Sequence, residues 1–282
     1  MNDIQSHLLI ILKEFIRVAE KHHLRWWANA GTALGAVRHK GFIPWDDDID
    51  VMLPREDYEK FLKLQHEYEG TPFFIQTWQK DPRYPYCFAK LRDSSTTYIE
   101  SYYPLNRMNH GLWIDIFPID GMSYKDKPRE KCAGRIKYVW YMTYMSYPSN
   151  LLRSFHSYTF FKDLALNFVG CLGFILNPFH VRQRVIERHV RHYKFDKARL
   201  VGCYFDFDTK HAAMDKDIFD DFVMMPFEDI KVKIPKNYDK YLTMLYGDYM
   251  TPPPVEKQVG QHKNKGCDLN VGYKEYMKNH RM

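Results

Sequence analysis

The sequence lacks the features that define several specialised classes of protein. Its five cysteines are far apart, and no two have the short spacing of a zinc site or a redox motif, so we expect a reducing, cytoplasmic setting. It has no tract of clustered lysine and arginine, and a net charge of +6 is too small to indicate nucleic-acid binding. The first residues also lack the basic stretch, apolar core and cleavage site of a signal peptide, so we do not expect export.

The apolar stretch 164–179 is shorter than the roughly 20 residues that a membrane-spanning helix needs. Basic residues flank it at Arg153, Lys162, Arg182 and Arg184. Two interpretations stay open at the level of sequence: a buried helix of the domain, or a segment in peripheral contact with the inner face of the cell membrane.

The composition is that of a globular protein, with 45% hydrophobic and 27% charged residues. Aromatic residues reach 16%, an excess that large cores or pockets lined by ring faces would explain. We expect a single domain over 1–262 with a mainly helical insertion at about 125–215. The net positive charge favours anionic partners such as nucleotides or phosphorylated glycans.

Hydrophobic periodicity predicts an α+β protein. Apolar residues repeat at helical spacing from Ile4 to Ala19, and a second helix is expected to open near Thr32. Strands are predicted at 25–30, 48–53, 73–78, 87–92 and 112–117, with a strand pair at 222–225 and 230–234 followed by a helix at 237–246. Three prolines follow Thr251, so the polar remainder, including 263–282, is expected to be a tail or wrapping arm.

The acidic run at residues 46–50 is the most informative part of the sequence. If residues 48–53 form a strand, Asp48 and Asp50 lie on one face, about 7 Å apart by strand rise. Two carboxylates on one face repel each other unless a cation lies between them. Hard divalent cations such as Mg²⁺ or Mn²⁺ prefer such oxygen ligands and bind phosphates as well. The pattern therefore predicts a metal site.

Other interpretations of this run are a solvated turn, an EF-hand loop, or ion pairs with the nearby basic residues Arg38, His39 and Lys40. A solvated turn seldom continues directly into an apolar strand. The EF-hand loop is excluded because its sixth position needs glycine and its twelfth needs glutamate, and these positions hold Val51 and Asp57.

Two further features support a phosphate-handling site. The turn Gly31–Thr32 joins a predicted strand to a helix, where free amides can bind a phosphate. Asp115 lies inside an apolar strand, so it is a candidate third metal ligand that could also accept a proton; the alternative is a solvated edge residue. Asp120, which follows Pro118, is expected to shape a turn.

Lys90 and Arg92 alternate on a predicted strand and therefore share a face. Paired cations of this kind could hold the oxygens of a pyrophosphate. The alternative, an ordinary solvated strand face, stays open.

Together these motifs resemble the LicD family, which includes bacterial phosphocholine transferases and, more remotely, fukutin-type phosphoribitol transferases. The resemblance rests on the sequence segments Gly-Thr-Ala-Leu-Gly at 31–35, Pro-Trp-Asp-Asp-Asp-Ile-Asp-Val at 44–51, Lys-Leu-Arg-Asp at 90–93, Ile-Asp-Ile-Phe-Pro at 114–118, Leu-Tyr-Gly-Asp-Tyr-Met at 245–250 and Pro-Pro-Pro at 252–254. It implies a nucleotidyltransferase-like mixed sheet flanked by helices. It also implies that Asp48 and Asp50 bind metal with Asp115 as their partner.

The resemblance further implies CDP-choline as the donor and a glycan or lipid-linked glycan, such as a teichoic acid or lipopolysaccharide precursor, as the acceptor. Aromatic faces bind quaternary ammonium groups, so Trp26, Trp27, Trp45 and Trp113 are possible partners of choline, although each could instead belong to the core. Transfer of ribitol phosphate or of a nucleotide is an alternative reaction. A non-catalytic module that binds a nucleotide or glycan is an alternative of a different class.

Overall fold

The structure is a computed structural model in which residues 1–84, 86–101, 108–125, 129–146, 168, 180–205, 213–260 and 262–280 are described. Apart from Phe168, the apolar stretch 164–179 lies outside the described residues. Among the helices that are described, none is both long enough and apolar enough to cross a bilayer.

A mixed sheet of seven strands forms the centre of the described structure. Five of the strands lie in the order β1-β2-β6-β4-β3, and β7 and β8 continue from the far end of β6. The bounds are β1 Trp27–Ala28, β2 Asp50–Pro54, β3 Phe73–Gln76, β4 Ala89–Asp93, β6 Leu112–Ser123, β7 Leu200–Gly202 and β8 Met214–Asp215. Only the β2–β6 pair is parallel within this described sheet.

The register of the sheet brings three predicted site residues side by side. Asp50 on β2 is the partner of Asp115 on β6, and Lys90 on β4 is the partner of Asp115 from the other side. Directly paired residues of neighbouring strands point to the same face of a sheet. The three side chains therefore share one face, while Ile114 and Ile116 point to the opposite face.

Seven α-helices surround the sheet within the described residues. Their bounds are α1 Asp3–Lys21, α2 Ala30–Arg38, α3 Arg55–Phe61, α4 Arg129–Ser146, α5 Val181–Val190, α6 Tyr238–Tyr246 and α7 Tyr273–Asn279. The helices and the mixed sheet confirm the predicted α+β class.

Helix α1 packs one apolar face against the central sheet. It begins at a capping box in which Gln5 N donates to Asn2 Oδ1 at 2.8 Å and Asn2 N donates to Gln5 Oε1 at 3.0 Å. It then packs against β6 and β4 through the predicted apolar residues. The fully buried members of this face are Leu8, Ile11, Leu12, Phe15, Val18 and Ala19.

The C-terminal segment is an arm that wraps onto the domain, one of the two predicted outcomes. Strand β11 (Asn264–Asp268) pairs antiparallel with β5 (Thr97–Glu100), and α7 follows it. A separate hairpin pairs β9 (Phe222–Phe227) with β10 (Ile230–Pro235), in agreement with the predicted strand pair.

Two sequence expectations are wrong in detail. The strand predicted at 48–53 begins at Asp50, so Asp48 lies in the loop before it. Asp120 does not shape a turn, because β6 continues through Pro118 to Ser123. The Asp120 side chain is fully buried and accepts two hydrogen bonds of 2.7 Å from Arg55, which opens α3. The two hydrogen bonds from Arg55 satisfy the buried carboxylate, so Asp120 belongs to the interior of the sheet rather than to a turn.

Candidate active site

The site lies where the loop 45–49, β2, β6 and the first turn of α2 meet. Asp50 and Asp115 are neighbours across the parallel pair, and the Asp115 N–H donates to the Ile49 carbonyl at 2.9 Å. The loop is held from α1, because the buried Gln5 side chain donates to the Asp46 carbonyl at 2.9 Å. The acidic loop is therefore fixed by both the sheet and the first helix.

Three consecutive aspartates concentrate negative charge in this loop. Asp46, Asp47 and Asp48 each offer a carboxylate oxygen, and these oxygens all lie within 4.8 Å of one another. Burial raises the pKa of Asp46 to about 8, and the charge of Asp48 adds to the rise. Burial also raises the pKa of Asp48, to which the charge of Asp115 contributes. Without a cation, the folded protein thus disfavours full ionisation of the cluster.

Asp115 carries the clearest sign that the residues present suit a cation. The residue is only 7% exposed, and Trp113 Nε1 donates to its Oδ2 at 3.2 Å. Its Oδ1 lies 3.1 Å from Lys90 Nζ but accepts no hydrogen bond from the described part of the chain. The Lys90 ammonium offsets part of the carboxylate charge, and Oδ1 keeps lone pairs for a further ligand. A hard divalent ion prefers such oxygen ligands, and Asp115 adds one next to Asp50 in the sheet; the described carboxylates whose oxygens converge within 4.8 Å are those of Asp46, Asp47 and Asp48, without Asp115.

The predicted glycine turn lies against the acidic loop. Gly31 and Thr32 are in the first turn of α2, which begins at Ala30. Thr32 Oγ1 accepts a hydrogen bond of 2.9 Å from the Asp50 N–H and so fixes the start of β2. A Cβ on Gly31 would come within 2.7 Å of Asp46 Oδ2. A larger residue here would displace the Asp46 carboxylate, and the close approach puts the positive end of the helix dipole beside the carboxylates.

Lys90 and Arg92 are not on a solvated strand face. Lys90 is 3% exposed and lies between Asp115 and Glu100, whose nearest oxygens are 3.1 and 3.7 Å from its Nζ. Arg92 has no exposed surface and donates to Gln76 Oε1 at 2.5 Å and to the Gly111 carbonyl at 2.6 Å. The Lys90 ammonium thus lies beside the Asp115 carboxylate, whereas the Arg92 guanidinium is buried and hydrogen-bonded to Gln76 and Gly111.

The C-terminal arm supplies a residue that sequence reasoning missed. His262 Nδ1 lies 3.0 Å from Asp47 Oδ1, and the His262 backbone N–H donates to Asp47 Oδ2 at 3.1 Å. Although burial lowers the pKa of His262, the hydrogen bond to Asp47 and the charge of Asp48 raise it to about 9. The imidazolium therefore offsets part of the acidic charge at neutral pH. The only hint in the sequence is a histidine shortly after the proline run.

Comparison with known proteins agrees with these motifs. The profile of the family described as LicD/FKTN/FKRP, nucleotidyltransferase domain, matches residues 23–165. The lipopolysaccharide cholinephosphotransferase LicD of Haemophilus influenzae is 28% identical over 266 residues, which cover 93% of this chain and 96% of that protein. The human ribitol 5-phosphate transferase FKRP is 28% identical over 105 residues, which cover 36% of this chain and 21% of that protein.

The family match includes the glycine turn, the acidic loop, β2, β4 and the acidic part of β6. It spans 143 of the 282 residues, counted from 23 to 165 inclusive, which is more than half of the chain. The similarity to the Haemophilus protein covers 93% of the chain and so extends well beyond these residues. The chain therefore belongs to the LicD/FKTN/FKRP family with its nucleotidyltransferase domain, which confirms the predicted resemblance and the predicted class of enzyme, a phosphotransferase.

Proposed function

We propose that the protein transfers phosphocholine from CDP-choline to a hydroxyl of a cell-surface glycan, a lipopolysaccharide or teichoic acid precursor, and releases CMP. The observation that supports it most is the register pairing of Asp50 with Asp115, by which two carboxylates share one face of the sheet beside the acidic loop. The similarity to a cholinephosphotransferase over nearly the whole chain supports choline as the transferred alcohol. The reaction would take place on the cytoplasmic side, with a lipid-linked acceptor at the membrane.

We assign a Mg²⁺ or Mn²⁺ site to Asp48, Asp50 and Asp115. When bound, the ion would offset the negative charge of the donor diphosphate and of the departing CMP. Asp47 is a weaker candidate, because the arm already engages both of its oxygens through His262. Asp46 lies against Gly31 at the edge of the site.

The other residues of the site bind and orient the donor. We assign the amides at Gly31 and Thr32, in the first turn of α2, to the binding of phosphate oxygens. Lys90 adds a positive charge next to Asp115. Arg92 Nη2 lies 3.6 Å from Glu100, and Glu100 is also a neighbour of Lys90. Arg92 can therefore affect the site through Glu100 and Lys90. We therefore assign Arg92 a positioning role rather than a phosphate contact.

The transfer step follows from these positions. The acceptor hydroxyl oxygen attacks the phosphorus that bears choline, its proton passes to Asp115, and the bond from that phosphorus to the CMP oxygen breaks. One P–O bond forms and one breaks, and CMP leaves with the bonding electron pair. Such a reaction depends mainly on positioning and on stabilisation of charge.

Ribitol phosphate is the second candidate for the transferred group, because the chain also resembles FKRP over 105 residues. A panel of CDP-choline, CDP-ribitol and a nucleoside triphosphate separates the reactions by product. Phosphocholine transfer releases CMP from CDP-choline alone, ribitol phosphate transfer releases it from CDP-ribitol, and nucleotide transfer releases pyrophosphate. A binding module releases neither.

The variant Asp48→Asn tests the assignment of the acidic loop. We expect CMP release to be abolished while the circular dichroism and melting temperature stay close to those of the wild type. Asp229→Asn, which changes an exposed carboxylate on the β9–β10 turn, is the matched control and should retain activity. Retained turnover in Asp48→Asn would contradict the assignment.

A further inference from the structure

We propose that an aromatic cluster beside Asp115 binds the trimethylammonium group of the donor. The cluster consists of Tyr86, Phe88, Phe117 and Phe205. The inference rests on the proposed function, because it assigns the choline end of the donor to a specific part of the site.

The sheet places the cluster next to the carboxylates. Phe117 is two residues beyond Asp115 on β6, so both side chains lie on the same face, about 7 Å apart by strand rise. Phe88 is two residues before Lys90, just ahead of β4. The ring centroids of Phe88 and Phe117 are 4.6 Å apart, which confirms that the two rings meet on that face. A phosphate held near Asp115 would thus bring its choline chain within reach of Phe117.

The four rings lie at the edge of a hydrophobic core, of which Phe88 and Phe205 are buried members and against which Tyr86 and Phe117 pack. Tyr86 stacks on Phe88 with centroids 5.0 Å apart and an interplanar angle of 23°, and Phe205 lies 6.2 Å from Phe88. Phe88 and Phe205 are each 6% exposed, whereas Tyr86 and Phe117 are only half-buried. Phe88 and Phe205 support the other two rings from the core side, and Phe117, which follows Asp115 on the same face, is the half-buried ring nearest to the carboxylates.

The chemistry of choline suits this cluster. A quaternary ammonium group has no N–H to donate, so it binds through the negative faces of aromatic rings and gains further from a nearby carboxylate. The tryptophans suggested by sequence are less suitable. Trp26 and Trp27 are buried, and the ring of Trp113 is already covered by Lys90 Nζ at 3.9 Å and the Arg92 guanidinium at 4.8 Å. Trp45 is half-buried and lies in the acidic loop, so it is the competing candidate.

The test compares CDP-choline with its neutral isostere, in which a tert-butyl group replaces trimethylammonium, using the full-length chain and a fixed acceptor. For the wild type we expect kcat/KM to favour CDP-choline about tenfold. In Phe117→Leu and Tyr86→Leu we expect this preference to fall towards one, because kcat/KM drops for CDP-choline and changes little for the isostere. Phe117→Tyr keeps a ring at this position and should restore the preference.

Phe74→Leu is the matched control, since it removes a half-buried ring from β3, outside the cluster, and should keep the preference. Equal losses for both donors in the leucine variants, or loss of the preference in Trp45→Leu alone, would overturn the inference and leave the proposed function standing. Failure of the wild type to release CMP from CDP-choline would overturn the proposed function, and this inference with it.

Discussion

Strand β6 carries two buried aspartates only five residues apart, and they have opposite environments. Asp120 is fully buried, and both of its oxygens accept hydrogen bonds of 2.7 Å from Arg55. Asp115 is 7% exposed, yet its Oδ1 accepts no hydrogen bond from the described residues. The two residues thus share a strand and a degree of burial, but Asp120 is hydrogen-bonded through both oxygens, whereas Asp115 Oδ1 faces the Lys90 ammonium at 3.1 Å without a hydrogen bond from the described residues.

The difference shows that burial of a carboxylate does not by itself identify a functional site. A satisfied buried pair contributes to the fold, and removing one partner leaves an uncompensated charge. A carboxylate that is paired with a lysine but not saturated with hydrogen bonds, and that lies near other acids, can take up a further ligand. Four predictions would break or sharpen this distinction.

The largest expected effect is on turnover in Asp115→Asn. Loss of the carboxylate removes a proposed metal ligand and proton acceptor, so CMP release from CDP-choline should fall by about 100-fold to 10,000-fold. The free energy of unfolding should fall by less than in Asp120→Asn, because Glu100 at 3.7 Å remains as a counter-charge for the buried Lys90 after the Asp115 carboxylate at 3.1 Å is lost. Near-normal turnover would show that Asp115 is a structural residue like Asp120.

Asp120→Asn should show the reverse pattern. The variant leaves the buried Arg55 guanidinium without its counter-charge, so the free energy of unfolding should fall by about 3–5 kcal/mol in urea titrations. The kcat/KM of the folded fraction should stay near that of the wild type. The double variant Arg55→Met with Asp120→Leu is the control, and it should recover most of the lost stability because no charge is left buried.

Addition of Mg²⁺ should stabilise the wild type by about 2.7 kcal/mol at a hundredfold excess over its Kd. In the ion-free protein, burial raises the pKa of Asp46 from 3.8 to about 8. The folded state therefore loses stability as the pH rises from 3.8 through 8. Protons also compete with the ion below this pKa. The gain in melting temperature with Mg²⁺ should therefore be larger just above pH 8 than at pH 5, and Asp115→Asn should reduce it.

The smallest effect is expected for His262→Gln, which removes the charged contact between the arm and Asp47 and should cost about 2 kcal/mol in ion-free buffer. Because the folded pKa is raised from 6.5 to about 9, this contribution is fully present below pH 6.5 and is lost as the pH rises through 9. Urea titrations of both proteins across this range should converge at the alkaline end. If the two proteins instead differ in unfolding free energy by the same amount at every pH, His262 stabilises the arm through packing and not through its charge.

Local patterns predicted much of the site but not its long-range contacts. Alternation and apolar context identified Asp50 and Asp115, and the structure pairs them on adjacent strands. The role of Asp120 was missed, because its partner Arg55 is 65 residues away in sequence and no periodicity reports such a contact. Lys90 and Arg92 were predicted to share a face, but sequence could not show that Glu100 and Gln76 line that face.

The wrapping of the C-terminal arm has a consequence for the order of events during synthesis. Asp47 and His262 are separated by 215 residues, so at about 5–20 residues per second the acidic loop emerges roughly 10–40 s before its cation. Until then the nascent sheet holds adjacent aspartates with no imidazolium beside them. During that interval, protonation, a bound divalent ion or delayed packing of the loop would limit the repulsion between the aspartates. The C-terminal arm then adds the contact of His262 with Asp47.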